Sequence, residues 1–169
     1  MENKFRLRSL EEKDASGMLE WMTDPNIARY FRFDAASMTL DRCKAFIAGA
    51  GEQTNCRHWA IVNEADEYLG TISLKNIENG SAEYAISTRV CAHGTGAAIA
   101  ATQKILSIAF EEIGLERVYL NVLVDNGRAN AFYRKVGFHF TRTEENALEI
   151  RGEMKDLNWY EIRRQNYDR

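Results

Sequence analysis

His93-Gly94-Thr95-Gly96-Ala97-Ala98 decides the fold, because it joins an extended segment, Ala82 to Thr88, to a long helical pattern that starts at Ala97. Glycine at 94 and 96 permits positive φ and lets the backbone approach an anion closely. The first N–H groups of the following helix have no internal acceptor and point into the turn, at the positive end of the helix dipole. Strand, glycine turn and helix start, in that order, make a phosphate-binding arrangement. The same turn also occurs where glycine serves geometry alone, so by itself it leaves both readings open. Its spacing fits neither the dinucleotide G-x-G-x-x-G nor a P-loop ending in Gly-Lys-Ser or Gly-Lys-Thr, which disfavours nucleotide hydrolysis.

Downstream, the helical pattern runs to about Ile113. Ile99, Leu106, Phe110 and Ile113 form one apolar stripe beside Ala98, Ala101, Ile105 and Ala109, a face broad enough to pack deeply into a sheet. Gly114 reads as its C-terminal cap. Val118 to Val124 is an apolar strand, Gly127 to Val136 a short helix closed by Gly137, and Phe138 to Thr143 and Lys155 to Ile162 are the last strands.

Upstream, Phe5-Arg6-Leu7-Arg8 alternates as a short strand, and Glu11 to Thr23 repeats Met18, Leu19 and Met22 at helical spacing. Asp24-Pro25 ends that helix, since proline pushes the preceding residue out of the helical region. Ser37 or Thr39 caps a second helix to about Ala50, with Leu40, Cys43, Phe46 and Ile47 on one face. Trp59 to Val62 and Tyr68 to Leu74 are strands across a polar turn, and Asn79-Gly80 is a hairpin signal, because both residues accept positive φ. The sequence of elements implies a mixed α/β chain, a sheet with helices on its faces.

The 169 residues are 45% apolar and 28% charged, a globular composition without linkers, repeats or low-complexity tracts, so one domain over residues 1–169 is expected. A net charge of −3 gives no basic surface for a nucleic-acid partner. No apolar run reaches the length of a membrane span, and the N-terminus lacks the core of a secretory signal, so a cytoplasmic protein is expected. Cys43, Cys56 and Cys91 are too scattered for a disulfide framework or a zinc site, and no metal is expected.

A second motif makes the glycine turn specific. His93-Gly94-Thr95-Gly96-Ala97-Ala98 resembles the Arg/Gln-x-x-Gly-x-Gly/Ala signature of the GNAT acetyltransferases. Asn126-Gly127-Arg128-Ala129-Asn130-Ala131-Phe132-Tyr133-Arg134-Lys135-Val136-Gly137-Phe138 resembles that family's Asn-x-x-Ala-x-x-x-Tyr-x-Lys-x-Gly-Phe. The order of elements is similar over nearly the whole chain, and Leu19 to Pro25 resembles the branch with ribosomal-protein N-terminal and amino-sugar N-acetyltransferases. The resemblance implies a mostly antiparallel, centrally splayed sheet of about seven strands with helices on both faces, and acetyl-CoA as co-substrate.

It also implies roles. The backbone of Ile86, Ser87 and Thr88 would pair with the pantetheine amides, and the turn from His93 through Gly94, Thr95, Gly96, Ala97 and Ala98 would take the pyrophosphate. Asn126 would contact the cofactor or cap its helix. Tyr133 falls at the position of the acid that protonates the thiolate, a phenol that stays protonated at neutral pH; a core aromatic is the other reading. His93 stands where arginine or glutamine is usual, and a neutral imidazole brings no charge.

Glu83 is the candidate general base, directly or through water, on the strand face opposite Ala82, Tyr84 and Ile86. Asn121, polar in an apolar strand, could orient acceptor or cofactor, or be a structural amide. The amine acceptor is expected beside the first two helices, near Trp21, Asp24, Asn26, Tyr30, Phe31 and Arg32. A protein N-terminus, an amino sugar and a small amine all fit. A non-catalytic acyl-CoA-binding module is the rival reading. The alternating tail Asn158 to Arg164 reads as an exposed edge able to pair with a second copy.

Overall fold

The computed structural model describes residues 4–31 and 34–167. One sheet contains β1 (Arg6–Ser9), β2 (Arg57–Val62), β3 (Tyr68–Glu78), β4 (Ser81–Thr88), β5 (Arg117–Leu123), β6 (His139–Ile150) and β7 (Glu153–Arg163). Its order is β1-β2-β3-β4-β5-β7-β6. Neighbours are antiparallel except β4 and β5, which run parallel. The helices are α1 (Ala15–Thr23), α2 (Pro25–Ala28), α3 (Leu40–Gly49), α4 (Ala97–Ser107), α5 (Gly127–Lys135) and α6 (Arg164–Tyr167).

Strand alternation puts helices on both faces. In β2, Ile61 joins the core of Ala101, Ile105 and Leu120, while Ala60 and Val62 join Met18, Trp21, Cys43 and Ile47. Each large apolar side chain buried this way contributes roughly 1.5–3 kcal/mol. The expected mixed architecture forms, and its central splay has a visible cause. The β4–β5 ladder holds only Ser81 to Glu83 against Arg117 to Tyr119. Among the described residues, the β5-facing edge of β4 has no strand partner beyond Glu83.

Local chemistry sets the boundaries. Asn79 and Gly80, at φ 51° and 77°, turn β3 into β4 as the dipeptide predicts. Thr39 caps α3 by accepting from the Arg42 N–H at 3.2 Å. Asp24 leaves the helical region before Pro25, ending α1, and its carboxylate accepts from the Asn26 N–H at 2.9 Å. Pro25 therefore both stops α1 and opens α2.

Several expectations need correction. Leu40 and Phe46 are exposed, and only Cys43 and Ile47 of that predicted face are buried. The helix from Ala97 changes after Ser107 to a wider π turn, Ile108–Ile113, which carries Ala109 and Phe110 both fully inward. The last hairpin extends to a turn at Arg151 and Gly152. Strand β6 is exposed along most of its length and twice shifts register, so it shows no apolar alternation in sequence. The tail is not an edge: β7 lies between β5 and β6, and the outer strands are β1 and β6.

Gly70 on β3 marks a close approach behind the end of β4. A Cβ there would sit 2.8 Å from the Thr88 Cα, with the Ser87 carbonyl oxygen closer still. Gly70→Ala is expected to destabilise the protein by roughly 1–3 kcal/mol through overpacking. Thermal unfolding measures this, and an unchanged melting temperature would show that β3 and β4 can separate freely.

Candidate active site

The glycine turn is built by its own residues. After β4 a short 3₁₀ turn, Val90–Ala92, leads to His93. The Thr95 hydroxyl donates to the Ala92 carbonyl at 2.6 Å and accepts from the Ala97 N–H at 3.2 Å, fastening the turn internally. Gly94 and Gly96 have φ of 77° and 88°, and a Cβ on either would meet nothing within 4 Å. Space in front of the turn is thus open. Ala98 and Ile99, whose N–H groups have no acceptor one turn back, line that space.

The opposite wall is α5. Asn126 caps it, its side-chain oxygen accepting from the Ala129 N–H at 3.3 Å, and so realises the capping alternative while also lining the cleft. Below it Asn130 is a buried polar hub. Its amide nitrogen donates to the carbonyls of Leu123 at 3.0 Å and Asn126 at 2.8 Å. Its oxygen accepts from the Tyr160 hydroxyl at 2.7 Å and the Asn158 amide at 2.9 Å. Both functional groups of the amide are satisfied, which fixes α5 to β5 and β7.

Tyr133 projects from this anchored helix. Its ring is boxed edge-on by Tyr84 at 5.8 Å and Phe138 at 6.1 Å, with Tyr160 tilted at 6.2 Å. Burial pushes the phenol up to about 12. Burial is the cause of that rise, with no hydrogen-bond partner among the described residues acting on the hydroxyl, and Tyr133 lines the cleft. The neighbouring Tyr84 hydroxyl, by contrast, is bound to Thr102 at 2.7 Å.

A cleft of about 640 Å³ collects these groups, within the usual size of small-molecule sites. It contains Ile86, Ser87, Thr88, His93, Gly94, Thr95, Gly96, Ala98, Asn126 and Tyr133 of the predicted set, with Asn26, Tyr30 and Phe31. Tyr30 also packs on the cluster of Leu123, Ile150 and Leu157. The Arg151 guanidinium donates to the carbonyls of Arg29 at 3.1 Å and Ala28 at 3.2 Å, tying the β6–β7 turn to the end of α2.

Other predicted residues lie elsewhere. Trp21 is buried, donates to the Tyr68 hydroxyl at 2.9 Å and meets Phe31 edge-on, so it is a core residue behind the cleft rather than a wall of it. Ala97 is buried just beneath the turn. Asn121 stands opposite Trp159 on β5 and does not line the cleft. Glu83 also lies outside the lining, 3.6 Å from the Lys75 ammonium and accepting from the Asn76 amide at 3.2 Å. Arg32 falls outside the described residues. Sequence reasoning passed over Arg128, Phe132 and Lys135, which line the cleft, and the Asn130 hub. Arg128 and Lys135, seven apart on one helix, carried a same-face signal. Asn130 carried only its polarity within a helix.

A domain model described as "Acetyltransferase (GNAT) domain" matches residues 4–139. The chain belongs to the GNAT acetyltransferase family. This acetyltransferase is 30% identical to a putative ribosomal N-acetyltransferase of Bacillus subtilis, over 96% of its own length and 92% of the relative's. An uncharacterized N-acetyltransferase of Bacillus licheniformis is 24% identical over 97% and 95% of the two chains. In fold it is similar to the spermidine N-acetyltransferase of Vibrio cholerae in complex with CoA and spermine, with a TM-score of 0.88 and 22% identity over 98% and 99% of the chains. The family resemblance read from the two signatures is borne out. Among the described residues no helix is long and apolar enough to cross a membrane, and no group of three or more His, Cys, Asp or Glu could hold a metal ion.

Proposed function

We propose that this acetyltransferase moves the acetyl group of acetyl-CoA to a primary amine by direct attack in a ternary complex. One observation carries the reading: Tyr133 lines the same cleft as the glycine turn and the unpaired end of β4. The geometry fits coenzyme A. An open anion cradle lies at one end, and free strand-edge backbone at Ile86 to Thr88 runs beside it to pair with two amides.

Acetyl-CoA supplies an activated thioester carbon. The amine forms its bond to that carbon as the carbon–sulfur bond breaks. Tyr133 gives its proton to the departing sulfur and recovers one from water; raised to about 12, it is protonated at every physiological pH. Positioning by the two cleft walls supplies most of the remaining acceleration. The acceptor enters along Ile27, Tyr30 and Phe31, an apolar and aromatic wall suited to a slender amine. The Vibrio neighbour named for spermidine and the Bacillus relative named for a ribosomal substrate support a polyamine-like amine or a protein N-terminus.

Glu83 takes the amine proton through water, since it stands outside the cleft beside Lys75. Glu83→Gln is expected to lower turnover roughly ten-fold near neutral pH, with the deficit shrinking at higher pH as free amine and hydroxide replace the carboxylate. A pH-independent deficit would instead assign Glu83 to holding Lys75. The function is tested by acetyl-CoA turnover over a panel of diamines, polyamines, amino sugars and peptides with free N-termini. Tight acetyl-CoA binding with no acceptor-dependent thiol release would make the chain a binding module.

A further inference from the structure

We propose that Arg128 supplies the positive charge toward the cofactor phosphates that the first signature lacks at His93. The inference rests on the coenzyme A reading above. His93 holds the place where arginine or glutamine is usual, and burial first, then Arg128, depresses its imidazole below the ordinary value. At neutral pH it therefore offers one hydrogen bond and no charge. The turn on that side of the cleft must bind a doubly charged pyrophosphate with backbone N–H groups and one neutral imidazole, without a cationic side chain.

Arg128 faces the turn from the other wall. It lies in the first turn of α5, and both it and His93 line the cleft. Its guanidinium is near enough to act on the imidazole. Among the described residues no carboxylate takes it up. Asp125 is held by Lys155 at 3.1 Å, and Asp24 is committed to the Asn26 N–H. Arg134, by contrast, lies over the Tyr160 ring. A planar guanidinium matches two phosphate oxygens at once, which a neutral imidazole cannot. Burial first, and then Arg128, disfavour a charge on His93, while Asp24 acts in the opposite direction. Lys135, two turns further on the same helix, lines the cleft as well and serves as the comparison.

Calorimetric titration of the purified full chain with acetyl-CoA tests the assignment. Arg128→Ala is expected to weaken binding about ten-fold, and His93→Ala by much less. Adding His93→Arg to Arg128→Ala is expected to recover most of the loss, because it returns the charge to the other wall. Lys135→Gln is not recovered by the same change. Undiminished binding by Arg128→Ala, or no recovery in the double variant, overturns the proposal. So does a Lys135→Gln loss of equal size that His93→Arg repairs, since the charge would then be diffuse. A wild-type chain that does not bind acetyl-CoA overturns the coenzyme A reading as well. Arg128 is exposed on the helix surface, and circular dichroism melting confirms that each variant is folded.

Discussion

Replacing Tyr133 with phenylalanine is expected to lower kcat by about 10²-fold or more, the usual range for a positioned general acid, while leaving acetyl-CoA affinity and melting temperature close to wild type. The separation follows from the two halves of the side chain. The ring carries the packing against Tyr84, Phe138 and Tyr160, and phenylalanine keeps every one of those contacts. No hydrogen-bond partner among the described residues acts on the hydroxyl, so its removal leaves no protein group unsatisfied. What is lost is the proton for the departing thiolate. Steady-state kinetics with a saturating amine read kcat, and calorimetry reads affinity. A variant with full turnover would remove the acid from the mechanism.

The same phenol fixes the shape of the pH profile. Burial raises it to about 12, so the acid form persists as pH climbs. Activity should therefore rise as the acceptor amine loses its proton and then level off, without an alkaline decline attributable to Tyr133 below about pH 11. An ordinary phenol near 10 would bring the decline a full unit or more earlier.

What the sequence made legible was local. Asn79-Gly80, the Gly94–Gly96 turn and the Asn126 cap are each specified by residues that touch one another along the chain, so their types announce the geometry. Contacts between distant segments gave no such announcement. Arg151 reaches the end of α2 across more than half the chain, and neither partner has a composition that predicts the other. Trp21 suggested a pocket wall because it is an aromatic near a junction, yet its indole N–H is used up on Tyr68 inside the core. Glu83 was correctly placed on a strand face. How it stands relative to the cleft depends on the β4–β5 ladder, which ends at Glu83 and Tyr119 and joins segments far apart in the chain.

Asn130 shows how much of the site hangs on a contact of this kind. Asn130→Leu, similar in volume, is expected to destabilise the protein by roughly 3–5 kcal/mol, since each buried polar group left without its partner costs about 1–3 kcal/mol. The Tyr160 hydroxyl and Asn158 amide lose their shared acceptor in a buried setting, while the Leu123 carbonyl keeps only the Asn126 N–H. Against a domain stability of about 5–15 kcal/mol, that is a large fraction. Tyr160→Phe removes one donor and leaves Asn158 on the same oxygen, so about 1 kcal/mol is expected. The two changes should be strongly non-additive, because the leucine variant has already forfeited the bond that Tyr160→Phe deletes. Urea unfolding of the four proteins gives the coupling, as a fall in midpoint at constant slope. Additive losses would mean that α5 is held by apolar packing alone. Coupled losses, with kcat falling in the folded Asn130→Leu protein while Tyr133 is intact, would tie the position of the acid to a hydrogen-bond hub beneath the cleft floor.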